Sequence, residues 1–259
     1  MPKIDVLIDL FFTDLPWEQR VVEIARCGYQ AVETWGGGDP GVLETIAGAG
    51  RDHGVELVSI VMNGDNENDV APNRTDNRER FIERIDRFSD HALAAGCRRG
   101  IVTAGQIPGN CDYQTQRRTL IDLLRAAGEL AAGKGFALNL EPLNSEVDHP
   151  GYMLDCPQEA VSIVREIGLP NVNILYDLYH MAIMTGNKTV FIEANIDRIG
   201  HFHAAGTPGR HEPFEGETAY PFMLRKIDAA GYKGYFGLEY MPRLKCPETL
   251  VKTMEYLRS

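Results

Sequence analysis

The chain has no CxxC pair, no Gly/Ser-rich or Pro-rich linker, and no apolar run near the roughly 18 residues of a membrane span. Its five cysteines (Cys27, Cys97, Cys111, Cys156 and Cys246) are odd in number and widely spaced, which reads as reduced thiols in a cytosolic protein rather than a disulfide framework. The opening Met-Pro-Lys-Ile-Asp lacks the apolar stretch of a signal peptide. These absences predict a cytoplasmic protein with no membrane partner. Positive charge is also scarce: 26 Lys and Arg against 37 Asp and Glu, a net charge of −11. That argues against binding a phosphate backbone, yet leaves room for a small anion held by one local Arg. With no linker in view, residues 1–259 are expected to form one domain.

What is present is an alternation. Short apolar runs at Ile4–Ile8, Ala31–Thr34, Leu57–Met62, Arg99–Thr103, Phe136–Glu141, Asn173–Asp177, Ile199–His203 and Tyr235–Glu239 read as strands. Between and after them, Pro16–Gly28, Val42–His53, Asp76–Ala95, Tyr113–Gly133, Pro157–Ile167, Met181–Ile196, Ala219–Ala230 and Pro247–Leu257 read as helices. The phrases Ala25-Arg-Cys-Gly-Tyr29, Ala94-Ala-Gly-Cys97 and Ala229-Ala-Gly-Tyr232 repeat one helix–Gly–strand junction. Eight such units predict an α/β fold, a (β/α)8 TIM barrel. Gly36-Gly-Gly-Asp-Pro40 follows the second strand as a mouth loop. The polar stretch Asn63–Asn77 is long enough to cover a substrate, or to be only a surface loop.

Four chemistry-bearing side chains close successive strand runs: Glu141, Asp177, His203 and Glu239. In a parallel barrel all four converge at the C-terminal mouth, where such folds keep their chemistry. Strand alternation sends Asn139, Leu175, His201 and Gly237 to the same inner face, and leaves apolar Leu138, Leu140, Ile174, Tyr176, Phe202, Phe236 and Leu238 to pack under helices. Any one of the four could instead cap a helix or pair with an Arg. Their shared position at strand ends favours a site. Three carboxylates and one imidazole suit one divalent metal ion, Mg2+, Mn2+ or Co2+, with Zn2+ also compatible.

Other residues stand near that mouth. His180 follows Asp177 by three positions, and either contacts a substrate oxygen or starts a helix. Arg210, in the Gly- and Pro-shaped loop after His203, would grip a carboxylate or sugar hydroxyls, or else pair with Glu212 or Glu215. Glu33 ends the second strand, across the barrel from the four, as a substrate-side or supporting group. Trp35 beside it offers an apolar wall or a packing role. His149 is in the loop after Glu141, and His201 sits one layer below His203 as a core histidine. His53 and His91 fall on helices away from the mouth.

Leu140-Glu-Pro-Leu-Asn144, Pro150-Gly-Tyr152, Tyr176-Asp-Leu-Tyr-His-Met181, Pro208-Gly-Arg-His-Glu-Pro213 and Gly237-Leu-Glu-Tyr240 together resemble the hydroxypyruvate isomerase family of the xylose isomerase-like TIM barrels, with ketose 3-epimerases as relatives. The resemblance implies a metal held by Glu141, Asp177, His203 and Glu239, with Glu141 and Glu239 as the proton-transfer pair and His180 and Arg210 beside them. It implies a small keto acid or keto-sugar substrate, isomerised through an enediolate, as in hydroxypyruvate to tartronate semialdehyde. A homo-oligomer is compatible with it. One departure matters: the hydroxypyruvate isomerases often carry Gln where this chain has His203, whereas the epimerases carry His. The alternative is therefore a metal-dependent ketose 3-epimerase. A non-catalytic sugar-binding barrel and an apurinic-site endonuclease-like protein stand further off, because both glutamates are present and the third and fourth strands end without His or carboxylate.

Overall fold

The computed structural model describes residues 1–64, 66–109 and 111–259. Among the described residues, eight parallel strands close into a barrel in sequence order: β1 (Lys3–Leu7), β2 (Ala31–Thr34), β3 (Glu56–Asn63), β4 (Arg99–Thr103), β5 (Ala137–Glu141), β6 (Val172–Asp177), β7 (Ile199–Ala204) and β8 (Tyr235–Leu238). The helices outside it are α1 (Trp17–Arg26), α2 (Pro40–His53), α3 (Arg78–Ala94), α4 (Tyr113–Gly133), α5 (Pro157–Ile167), α6 (Leu178–Met184), α7 (Lys188–Asn195), α8 (Tyr220–Ala229) and α9 (Glu248–Leu257). This is the (β/α)8 barrel that the alternation predicts.

Local chemistry sets the boundaries. Asp39 caps α2 by accepting from Gly41 and Val42 backbone N–H groups, Pro40 fills the first turn, and Gly54 ends the helix at φ +69°. One expectation fails. Met181–Ile196 is not one helix but α6 and α7, because Thr185 turns extended (φ −142°) and Asn187 enters the left-handed region (φ +56°). Thr185-Gly-Asn187 breaks the hydrogen-bond ladder where apolar periodicity alone would carry it on.

The alternation of strand side chains builds two environments. Leu138, Leu140, Ile174, Tyr176, Phe202, Phe236 and Leu238 face the helices in one large apolar cluster. Burying each of the larger ones contributes about 1.5–3 kcal/mol, which offsets a polar barrel interior. Inside, Ala31, Val58 and Tyr235 form a small apolar floor at the N-terminal end. Above it the interior turns polar, with Asp5, Glu33, Asn139 and His201 fully buried.

Packing between α4 and β6 is tight. A Cβ on Gly128 would lie 2.5 Å from Val172 Cγ2 and 2.8 Å from Leu169 Cδ1. Gly128→Ala would gain about 1 kcal/mol in helix propensity. Overpacking against a stiff β-branched side chain costs about 1–3 kcal/mol, so the variant is expected to melt a few degrees lower. A higher melting temperature in a thermal scan would show that this contact yields.

Candidate active site

The rims of β5 to β8 bring the four strand-end residues together. Glu141 pairs in register with Thr103, Asp177 with His203, and His203 with Gly237. Glu239 follows β8, its N–H donating to Ala204 O at 3.2 Å. All four side chains are buried, and each offers one ligand atom within 4.8 Å of the others. His203 Nδ1 lies 3.1 Å from Glu239 Oε2 and 3.8 Å from Glu141 Oε1. Asp177 has two duties: Oδ1 accepts from Tyr179 N at 2.7 Å, capping α6, while Oδ2 lies 3.5 Å from His180 Nε2.

The charges there are unevenly compensated. Burial pushes the Glu141 carboxyl well up, and neighbouring Glu239 and Asp177 add to it. Burial likewise pushes Asp177 up to about 6. Burial acts on Glu239 in the same sense, but Arg210 and His203 outweigh it and hold that carboxyl well below the usual range. Burial disfavours a charged His203, and Glu33 and Glu239 reverse this and raise it. Three carboxylates thus share one imidazole and one guanidinium, and Glu141 Oε1 has no hydrogen-bond partner among the described residues. A divalent cation fits this donor set, because it neutralises the surplus charge and takes the lone pairs the protein leaves unmet.

His180 is fully buried yet lines the cleft. Its Nδ1 accepts from the Asn144 backbone N–H (3.3 Å) and faces Asn144 Nδ2 at 2.7 Å. Asn144 Oδ1 is taken by the N–H groups of Val147 and Asp148, so the amide donates toward the ring. Burial lowers the His180 pKa, and Arg210 lowers it further. The ring is therefore neutral, with Nε2–H aimed at the site. Asn144 is the partner that sequence reasoning missed; its only signal is its place in the turn after Glu141.

Arg210 donates from Nη2 to Glu239 Oε2 at 2.7 Å, and its guanidinium lies 5.4 Å from the Tyr179 ring centroid. Its backbone sits at φ +57°, a left-handed conformation costly for a non-glycine residue, and Nε is buried without a partner among the described residues. Met241 N donates to Arg210 O at 2.7 Å, tying this loop to the chain after β8. Trp35 is 44% exposed at the mouth, and its indole Nε1 donates to Glu239 Oε1 at 3.1 Å. Glu33 reaches inward across the barrel, 2.8 Å from His203 Nε2, and does not line the cleft. The intervening β8 residue at that level is Gly237, which leaves the space open. His201 lies beneath, against Glu33, and His149 lines the cleft with its ring 5.3 Å from that of His180.

The cleft above these groups has a volume of about 640 Å³. Val61, Met62, Phe88, Ile101, Leu143 and Met241 make its apolar wall, with Glu67 and Arg84 at the side. Arg84 and Glu67 pair at 2.6 Å, which joins α3 to the 63–77 segment. Position 65 of that segment lies outside the described residues.

The xylose isomerase-like TIM barrel family matches residues 21–259. The chain belongs to that family. It is 32% identical to the 2-oxo-tetronate isomerase of Pectobacterium atrosepticum, over 96% of each chain. It is 34% identical to a putative hydroxypyruvate isomerase of Homo sapiens, over 93% of this chain and 88% of that one. A solved Brucella melitensis structure described as an AP endonuclease, family 2, superposes with a TM-score of 0.90 at 30% identity, over 99% of each chain. Like its curated relatives, this family member is an enzyme of the isomerase class. Among the described residues, no helix is long and apolar enough to cross a membrane.

Proposed function

We propose that this enzyme isomerises a small 2-oxo acid carrying a neighbouring hydroxyl, of the hydroxypyruvate type. Glu141 and Glu239 serve as the proton-transfer pair, and one divalent cation is held by Glu141, Asp177, His203 and Glu239. The observation that carries this reading is the convergence of four buried ligand-bearing side chains within 4.8 Å at the barrel mouth. The names of the curated relatives, 2-oxo-tetronate isomerase and hydroxypyruvate isomerase, support the substrate class.

Such an isomerisation exchanges the oxidation levels of two adjacent carbons without an outside redox partner. A proton leaves the hydroxyl-bearing carbon, its electron pair forms the enediolate double bond, a proton returns to the former carbonyl carbon, and the hydroxyl proton passes to the former carbonyl oxygen. The cation, when bound, supplies fixed positive charge against the charge developing on the substrate oxygens. The chain supplies an asymmetric pair of carboxylates: direct contacts from Arg210, His203 and Trp35 favour the ionised form of Glu239, while at Glu141 burial outweighs His203 and Arg210. With both carboxylates ionised when the cation is bound, one can take the substrate proton and the pair can then deliver it to the neighbouring carbon. His180 Nε2–H would meet a substrate oxygen, and Arg210 Nε, which has no hydrogen-bond partner among the described residues, would meet a carboxylate.

Cation uptake must displace protons that burial favours on Asp177 and Glu141. With Asp177 pushed up to about 6, apparent affinity for Mn2+ should weaken as pH falls from 7 to 5, by up to about tenfold per pH unit for each proton displaced. Calorimetric titration checks this; a flat affinity across that range would remove Asp177 from the ligand set.

The deciding experiment is a panel of hydroxypyruvate, 2-oxo-tetronate and neutral ketoses with Mg2+, Mn2+ or Co2+, read by product identity and by exchange in D2O. Turnover of the acids, lost on chelation and restored by metal, is the expected result. A second reading, ketose epimerisation, draws on the cleft of about 640 Å³, which exceeds what a three-carbon acid fills. Ketose turnover alone would establish it, and no exchange with any compound would point to a binding barrel. Against phosphodiester cleavage stand the net charge of −11 and the ends of β3 and β4, where Asn63 and Thr103 bond to each other.

A further inference from the structure

Beneath the four-residue site lies a second polar group that never reaches the cleft. Glu33 Oε1 is 2.8 Å from His203 Nε2, and Glu33 Oε2 is 3.1 Å from His201 Nε2. Asp5 Oδ2 lies 3.8 Å from the same His201 nitrogen. Asp5, Glu33 and His201 are all fully buried, in a barrel whose floor below them is apolar. Carboxylates are rarely buried to this degree unless a partner requires them. Space for the group depends on Gly237, where a Cβ would fall 2.6 Å from Glu33 Oε1 and 2.8 Å from His203 Cδ2.

His203 can present either ring nitrogen to a ligand, and only Nδ1 faces Glu141 and Glu239. We propose that Glu33 is the positioning residue for His203: its carboxylate, 2.8 Å from Nε2, draws the ring proton to that nitrogen by charge, and so leaves the Nδ1 lone pair for a cation held with Glu141, Asp177 and Glu239. This rests on the cation site proposed above. A carboxylate behind a ligating imidazole sets its tautomer and raises its basicity as a ligand. His201 extends the support by meeting Glu33 at its other oxygen, with Asp5 behind that ring. Glu33, His201 and His203 are themselves close enough to share a cation. That arrangement would need Nε2 as a ligand, and the experiment separates the two.

The test titrates the full chain, stripped of metal, with Co2+, reading affinity by calorimetry and ligand geometry by visible d–d absorption. Wild type should take one Co2+ per chain. Glu33→Gln, nearly isosteric but without the charge, should bind Co2+ about 10- to 100-fold more weakly and shift the absorption. Glu33→Asp should recover part of both. Gly237→Ala leaves every charge in place but crowds Glu33 and His203 apart; it should show the same losses, and it decides the matter if Gln at position 33 prevents folding. Melting curves of the metal-free proteins report folding separately. Binding within twofold of wild type with an unchanged spectrum in a folded variant would overturn the positioning role alone. Two Co2+ per wild-type chain would overturn it in favour of a cation between Glu33 and His201. No Co2+ uptake by wild type would instead overturn the site reading itself.

Discussion

Glu141→Gln and Glu239→Gln are each expected to lower turnover at least about 10²-fold, since an amide cannot take up the substrate proton. Their effects on the metal-free fold should have opposite signs. Burial raises the Glu141 carboxyl, so its ionised form costs stability above its unfolded pKa, and Gln removes that cost. Glu239 is the reverse case. Its folded carboxyl is depressed, so it contributes stability above its unfolded pKa that is lost as pH falls, and Gln forfeits it at pH 7. Gln at position 239 also weakens the partner of Arg210, a largely buried guanidinium, which typically costs a few kcal/mol. Metal-free Glu141→Gln should therefore melt at or above wild type at neutral pH, and Glu239→Gln several degrees below it. Metal content must be measured alongside, because each variant also loses an anionic ligand. Near-normal turnover with full metal content in either variant would remove that residue from proton transfer.

The sequence made the barrel and the strand-end residues legible for one physical reason. A buried parallel strand reads as a short apolar run, and a charged residue closing such a run breaks the pattern at a fixed place. Glu141 and Asp177 end β5 and β6, His203 lies one residue from the end of β7, and Glu239 one residue past β8. The inner and outer faces follow from the two-residue period, so Phe202 and Phe236 fall under helices while His201 and Gly237 fall inside.

Contacts made across the barrel, or between loops, leave no such mark. Glu33 stands 170 positions from His203 in sequence order (203 − 33), yet touches it because β2 and β7 face each other through the space above Gly237. The Trp35 hydrogen bond to Glu239 joins two loops through a side chain that composition presents only as an apolar wall. Asn144 shares its turn with Glu141, but what makes it matter is His180, which β6 brings alongside. The break between α6 and α7 was hidden by apolar residues on both sides of it. The cross-barrel and loop contacts are tertiary facts that local pattern does not carry, whereas the helix break is local, set by Thr185-Gly-Asn187.

Arg210→Lys is the variant that should separate an acid substrate from a neutral one. Lys keeps the charge, and at φ +57° it meets the same backbone penalty as Arg, so the comparison isolates the guanidinium fork. One arm of that fork is committed: Nη2 donates to Glu239 Oε2 at 2.7 Å. Nε is buried without a partner among the described residues and remains available to a substrate oxygen. A Lys ammonium is a single point charge and cannot serve both in one geometry. If it stays with Glu239, the substrate loses a charge-assisted hydrogen bond worth about 1.5–3 kcal/mol, which is roughly 10- to 100-fold in KM for hydroxypyruvate. If it turns to the substrate, Glu239 loses its strongest partner and kcat falls instead. Either way kcat/KM for the acid should drop at least about tenfold, while a neutral ketose, with no carboxylate to lose, should suffer mainly through kcat. Unchanged KM and kcat for hydroxypyruvate would show that the Arg210 fork reads no carboxylate. Equal KM losses for acid and ketose would assign it to hydroxyl recognition and favour the epimerase reading.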